Sequence, residues 1–127
     1  MKSTIFLFFT VILISCTAEK DFKSEHAIVN LPEKVYDFGE ISMTDSIEHK
    51  FSIVNLGSTD LILNEVSASC GCTVPSWNRE SIPPNEKGFV NVVFKPVDEG
   101  QVEKLIILEM NTDSTFAVLR IKGFVIK

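Results

Sequence analysis

The chain has 127 residues and a formal net charge of −5, from 12 basic and 17 acidic side chains. It has no basic run, so the clustered Lys and Arg that neutralise phosphates are missing; neither nucleic-acid binding nor electrostatic docking on anionic lipid is expected. Hydrophobic residues make up 45%, enough for one domain with its own core and no need of a disulfide framework.

The first element is Met1-Lys2 followed by an apolar run from Ile5 to Ile14. A basic start, a short apolar stretch and a small residue describe a secretory signal. The run is about half of the roughly 20 residues a spanning helix needs. It ends Leu13-Ile14-Ser15-Cys16, which resembles a bacterial lipobox. That resemblance implies a mature chain starting at Cys16 and carrying acyl chains, more than one being needed for firm anchoring. The alternative is ordinary signal cleavage with Cys16 as a spare thiol. The expected address is the cell envelope, on a bacterial membrane, with the outer membrane first choice and its periplasmic or surface face open. That compartment permits disulfides. Residues 16–31 read as the lipidated N-terminus and a polar, flexible tether. His26 lies in the tether with no role assigned.

Residues 32–127 read as the folded domain, and the pattern there is all short strands. Val35 to Phe38 runs up to Gly39. Ile47, Phe51 and Ile53 recur at even spacing, with His49 in the same row and Glu48, Lys50 and Ser52 opposite, as in a half-buried strand. A histidine in such a row is expected to be packed and hydrogen-bonded rather than a ligand. Residues 55–60 are a turn cluster. A strand from Leu61 to Ala68 follows, then breakers from Ile82 to Gly88, then a strand from Phe89 to Phe94. The last two strands are Val102 to Met110 and Phe116 to Ile126, with turns at 98–100 and 111–114. Leu105-Ile106-Ile107-Leu108 fits a helix by periodicity, but its β-branched content and flanking turns favour a strand. About seven strands with turns every 8–12 residues predict an all-β, immunoglobulin-like β-sandwich, with a closed barrel as the second choice. The antibody-type inter-sheet bridge is excluded, because Cys70 and Cys72 are only two residues apart.

Val35-Tyr36-Asp37-Phe38-Gly39-Glu40-Ile41, Phe51-Ser52-Ile53-Val54-Asn55-Leu56-Gly57 and Leu61-Ile62-Leu63 form one set of matching segments. Ser69-Cys70-Gly71-Cys72-Thr73-Val74-Pro75-Ser76-Trp77 is the hallmark, and Gly100, Lys104, Asn111 and Ile121-Lys122-Gly123-Phe124-Val125 complete the pattern. Together they resemble the domain of unknown function 1573 family of bacterial envelope proteins, related to the sandwich domains of ASPM and Hydin. The resemblance implies fold and location and supplies no activity. One departure is Pro84-Asn85, where the family usually has Pro-Gly; Asn also tolerates positive φ.

The Cys70/Cys72 pair is the one constellation that could carry chemistry, and several readings stay open. A bridge along an extended strand would span about 6.6–6.8 Å, at the edge of what a disulfide tolerates, unless Gly71 bends the backbone. Closing a three-residue loop is worth roughly 1.6 kcal/mol before strain, which makes it a poor staple and a comparatively reducible one. Free thiols would normally need a nearby cation, and Arg79 is the nearest candidate in sequence. Two thiolates could hold Cu(I), whereas zinc normally takes four ligands and neither His26 nor His49 has the spacing. The bland reading is a packed strand end. Trp77 is expected to cap the sandwich near the pair; exposed, it would mark a contact surface.

No Ser/His/Asp set, P-loop or dinucleotide motif is present, so neither enzymatic activity nor a cofactor is expected. The expected function is a non-enzymatic binding or structural module, with the membrane as partner through its lipid and an envelope protein or glycan as a further partner. The alternative is a thiol-redox or Cu(I)-binding protein using Cys70 and Cys72.

Overall fold

Two four-stranded sheets pack face to face in a computed structural model that describes residues 26–127. The signal segment and Cys16 lie outside the described residues. The strands are β1 (Val29–Asn30), β2 (Val35–Ser42), β3 (Ile47–Asn55), β4 (Leu63–Ala68), β5 (Thr73–Trp77), β6 (Lys87–Phe94), β7 (Gly100–Met110) and β8 (Phe116–Ile126). The first sheet runs β1-β3-β6-β5 and the second β2-β8-β7-β4. Both sheets are open, so the sandwich holds and the closed barrel does not. Among the described residues no helix is long and apolar enough to cross a membrane.

Alternation builds the core. Phe51 and Ile53 of β3, Val90, Val92 and Phe94 of β6, Ile106 and Leu108 of β7, and Leu119, Ile121 and Val125 of β8 are all buried between the sheets. Fully burying each such side chain is worth about 1.5–3 kcal/mol. His49 follows the expectation: its ring stacks on Tyr36 at 3.7 Å, meets Phe51 edge-on, and its Nε2 lies 3.1 Å from Glu33 Oε2. It thereby ties β3 of one sheet to the β2 segment of the other.

Several boundaries differ from the sequence reading. The fold begins before residue 32: Ala27 is buried and bridges Thr112, and Val29 and Asn30 pair with Asn55 and Val54. His26 Nδ1 sits 2.9 Å from Asp113 Oδ1 at the same end. β2 does not stop at Gly39. The chain bulges there, with Gly39 at φ +71° and its N–H donating to Asp37 Oδ1, then pairs again with β8. Positive φ is what glycine tolerates and other residues avoid. Asn85 takes φ +65°, the conformation that lets it stand in for glycine. Leu61 belongs to no strand; it bridges Ile82 before β4 begins.

A buried polar hub closes one end of the sandwich. Asn55 is fully buried; its Nδ2 donates to the carbonyls of Thr59 at 2.8 Å and Ile82 at 2.9 Å, and its Oδ1 accepts from Gly57 N at 2.9 Å. Every hydrogen-bonding position of the side-chain amide that faces protein is used, as burial demands.

β5 is a strand that the sequence pattern does not announce. Its apolar alternation is broken by Ser76 and Pro75, and proline normally argues against a strand. The register resolves the conflict. Lys95 N donates to Cys72 O and Asn78 N to Phe89 O. Residues 72, 74, 76 and 78 therefore bond to β6, and Pro75 sits between them with its missing N–H facing the open edge. Proline there costs no ladder bond and blunts the edge against pairing with another chain.

Candidate functional site: the cysteine corner

The cysteine pair lies where the chain leaves one sheet and enters the other. β4 is the edge of the second sheet and β5 the edge of the first, and only residues 69–72 join them. Sheets in a sandwich lie about 10 Å apart, so the crossing must turn sharply. Gly71 and Cys72 form a turn, closed by Thr73 N donating to Cys70 O at 3.3 Å. The turn brings the two Cα atoms to 5.4 Å, well inside disulfide range, and Cys70 and Cys72 are bonded to each other. The span expected for an extended segment does not apply, because the segment is not extended.

The corner is tied down on both flanks by the backbone. Ser69 N donates to Leu105 O at 2.9 Å, Leu105 N to Ser69 Oγ at 3.1 Å, and Lys95 N to Cys72 O at 3.0 Å. Thr73, only 3% exposed, places its hydroxyl 3.8 Å from Cys70 Sγ and 4.0 Å from Cys72 Sγ. A disulfide has no S–H, so the hydroxyl is the donor. Both cysteines are half-buried, Cys72 packs against the core, and a side chain placed at Gly71 would meet nothing within 4 Å. Nothing in the spacing of residues 70–73 signals the role of the Thr73 hydroxyl, because it depends on β5 and the turn before it.

In the bonded form the sulfurs offer no thiolate for Cu(I), and among the described residues no three His, Cys, Asp or Glu side chains group to hold a metal ion. Arg79 does not reach the pair: its guanidinium lies over the Trp77 ring, 3.8 Å from the centroid. Trp77 packs partly against the core, as expected of a cap. It does so at the far end of β5, opposite Val90, roughly 13 Å along the strand from Thr73. It is therefore not beside the cysteines, and its Nε1 is buried without a hydrogen-bond partner.

A second feature is the outer face of the second sheet. Phe116 and Val118 of β8 stand beside Ile107 of β7, with Ile107 directly opposite Val118. All three are exposed, Phe116 by 61%. Next to them Glu65 and Glu109 face each other across β4 and β7, and Glu109 also faces Phe116. Like charges placed opposite one another destabilise a sheet. Further along the same face Arg120 Nη1 meets Glu103 Oε1 at 2.8 Å. The one warning in the sequence was the unbroken run Leu105 to Leu108, where the outward positions are apolar as well as the inward ones. A surface hollow of about 290 Å³ bordering this sheet lies over the Gly39 bulge between Asp37, Lys122 and Phe124.

Two open sheets closed by a disulfide corner define an immunoglobulin-like module. The chain belongs to the family described as protein of unknown function (DUF1573), whose model matches residues 29–125. No curated protein sequence matches it. Among solved structures it is similar to a protein of unknown function from Porphyromonas gingivalis W83, with TM-score 0.72 and 15% identity over 80% of this chain. The match spans about half (48%) of the length of that protein. The seventh PapD-like (ASH) domain of human CEP192 superposes with TM-score 0.66 at 14% identity, covering 80% of this chain and 87% of that domain. WR4, an MSP family member of C. elegans, gives TM-score 0.53 at 9% identity over 80% of this chain and 100% of its own. At these identities the likeness is one of fold alone.

Proposed function

We propose that the protein is a non-enzymatic binding module held at the bacterial cell envelope by a lipidated Cys16, and that it binds a protein partner through the outer face of its second sheet. The observation that carries the reading is the exposed apolar row of Phe116, Val118 and Ile107 beside the opposed Glu65 and Glu109. An exposed apolar cluster rimmed by charge is typical of an interaction site. The acidic pair specifies the chemistry: a partner that lays an apolar side chain on Phe116 and brings a Lys or Arg to the glutamates relieves their repulsion. A flat face without converging polar groups suits a protein better than a glycan. The lipobox-like Leu13-Ile14-Ser15-Cys16 supports the anchor.

The test is photo-crosslinking from position 118 in intact cells. A reproducible protein adduct that is lost in a Glu65→Lys/Glu109→Lys variant is expected; the absence of any protein adduct, or adducts to glycan alone, refutes the face. In the same cells, Cys16→Ala is expected to move the protein out of the membrane fraction. Retention of that variant refutes the lipid anchor.

A further inference from the structure

We propose that the Cys70–Cys72 disulfide is a redox site that takes two electrons from a protein dithiol by thiol–disulfide exchange, with Cys70 as the attacked sulfur and the Thr73 hydroxyl as the group that receives the displaced thiolate. The inference goes beyond the binding reading and does not depend on it.

Four observations carry it. First, the corner does not need the bond. Ser69, Leu105, Cys72 and Lys95 hold the crossing through two backbone hydrogen bonds and one from Leu105 N to Ser69 Oγ, none of which involves a sulfur. The sheets thus stay in place in either redox state, which a reversible site requires. Second, the loop spans only three residues, so the bond gains little from chain entropy and is correspondingly easy to open. Third, the approach is open at Gly71, which is exposed with nothing within 4 Å of where a side chain would stand, and of the two half-buried cysteines Cys72 packs against the core while Cys70 does not. Fourth, Thr73, a residue only 3% exposed, holds its hydroxyl within 3.8 Å of Cys70 Sγ and 4.0 Å of Cys72 Sγ. A buried hydroxyl satisfied by neutral sulfur is poorly used; the same hydroxyl on a thiolate makes a charge-assisted bond, roughly twice as strong.

A partner thiolate attacks Cys70 Sγ, forming a mixed disulfide as the Cys70–Cys72 bond breaks. Cys72 leaves as a thiolate, accepts a hydrogen bond from Thr73 Oγ1, and takes a proton from solvent. The partner's second thiolate then attacks its own sulfur in the mixed disulfide and expels Cys70, which is protonated in turn. The pair gains two electrons and two protons, and the partner dithiol becomes a disulfide. Arg79 is engaged over Trp77, and the hydroxyl supplies stabilisation of the kind that reactive cysteines often draw from a neighbouring charge.

The experiment treats the full chain, in detergent, with dithiothreitol as the dithiol under native conditions. Reduction is followed by alkylation and mass analysis of the Cys70–Cys72 peptide, and the fold by Trp77 fluorescence. Full reduction with the native fluorescence kept is expected. Thr73→Val is expected to slow reduction about tenfold, the rate equivalent of one hydrogen bond to a charged group. Thr73→Ser keeps the hydroxyl and is expected to stay within about twofold of wild type by the same reasoning. In single variants, Cys70 of Cys72→Ser is expected to alkylate faster than Cys72 of Cys70→Ser. The proposal is overturned if the bond opens only when the domain unfolds, if Thr73→Val and Thr73→Ser react alike, or if the two lone thiols alkylate equally fast.

Discussion

Replacing Asn55 by alanine tests the hub that closes one end of the sandwich. The side chain makes three hydrogen bonds, each worth about 1 kcal/mol net. Ile82 O keeps a second donor, Leu61 N at 2.9 Å. Gly57 N and Thr59 O lose the bonds that Asn55 gave them, and each orphaned buried group costs about 1–3 kcal/mol. The expected loss is about 3–4 kcal/mol, a fall in melting temperature of at least about 12 °C for a domain this size. Urea unfolding of the full chain in detergent reads this directly. Asn91→Ala is the control: it removes one exposed bond to Glu48 and is expected to cost no more than about 0.5 kcal/mol. Asn55→Asp adds a sign. Its carboxylate still accepts from Gly57 N but turns acceptors toward two carbonyls, so the folded state favours the protonated acid and raises its pKa. This variant is expected to gain stability as pH falls through that raised pKa and to lose it as pH rises. A loss below about 1 kcal/mol for Asn55→Ala, against the 3–4 built from three bonds, would refute the reasoning.

Two further changes probe the edges. At Gly57 a methyl group would stand 2.6 Å from the Ile28 backbone nitrogen. Since no rotamer relieves a clash with backbone, Gly57→Ala is expected to cost about 1–3 kcal/mol and to speed amide exchange at Leu56, whose N–H donates to Ile28 O; unchanged exchange would count against it. Pro75→Val restores an N–H on the open edge of β5 and is expected to leave the melting temperature nearly unchanged while increasing self-association in sedimentation velocity. An unaltered sedimentation profile would show that the proline does not guard the edge.

The strands that bury one clean face were legible in the sequence. Ile47, Phe51 and Ile53, and Val90, Val92 and Phe94, announce β3 and β6 by spacing alone. The hidden parts have local chemistry that contradicts their place. β5 carries a proline that only its edge register makes harmless, and β2 continues through a bulge that reads as an ending. β1 is two residues long and exists because β3 offers it a partner. The candidate site was half legible. The cysteines stood out, but their bond depends on the turn at Gly71, and Thr73 acquires its meaning only when the corner brings its hydroxyl beneath both sulfurs. Asn55 was visible as a turn residue and not as a buried one, because burial at that end comes from Ile82 and Ala27, distant in sequence.

The parallel pairing of β2 with β8 has a consequence for the life of the chain before it folds. Val35 pairs with Arg120 and Ser42 with Ile126, so an early strand of the domain waits for its final one. β7 waits too, since β8 lies against its whole length. Pairings this distant in sequence form slowly. During translation the second sheet cannot close until the residues up to Ile126 have left the ribosome. Until then β2 has no neighbour in its own sheet, so the second sheet is the last part of the domain to take shape.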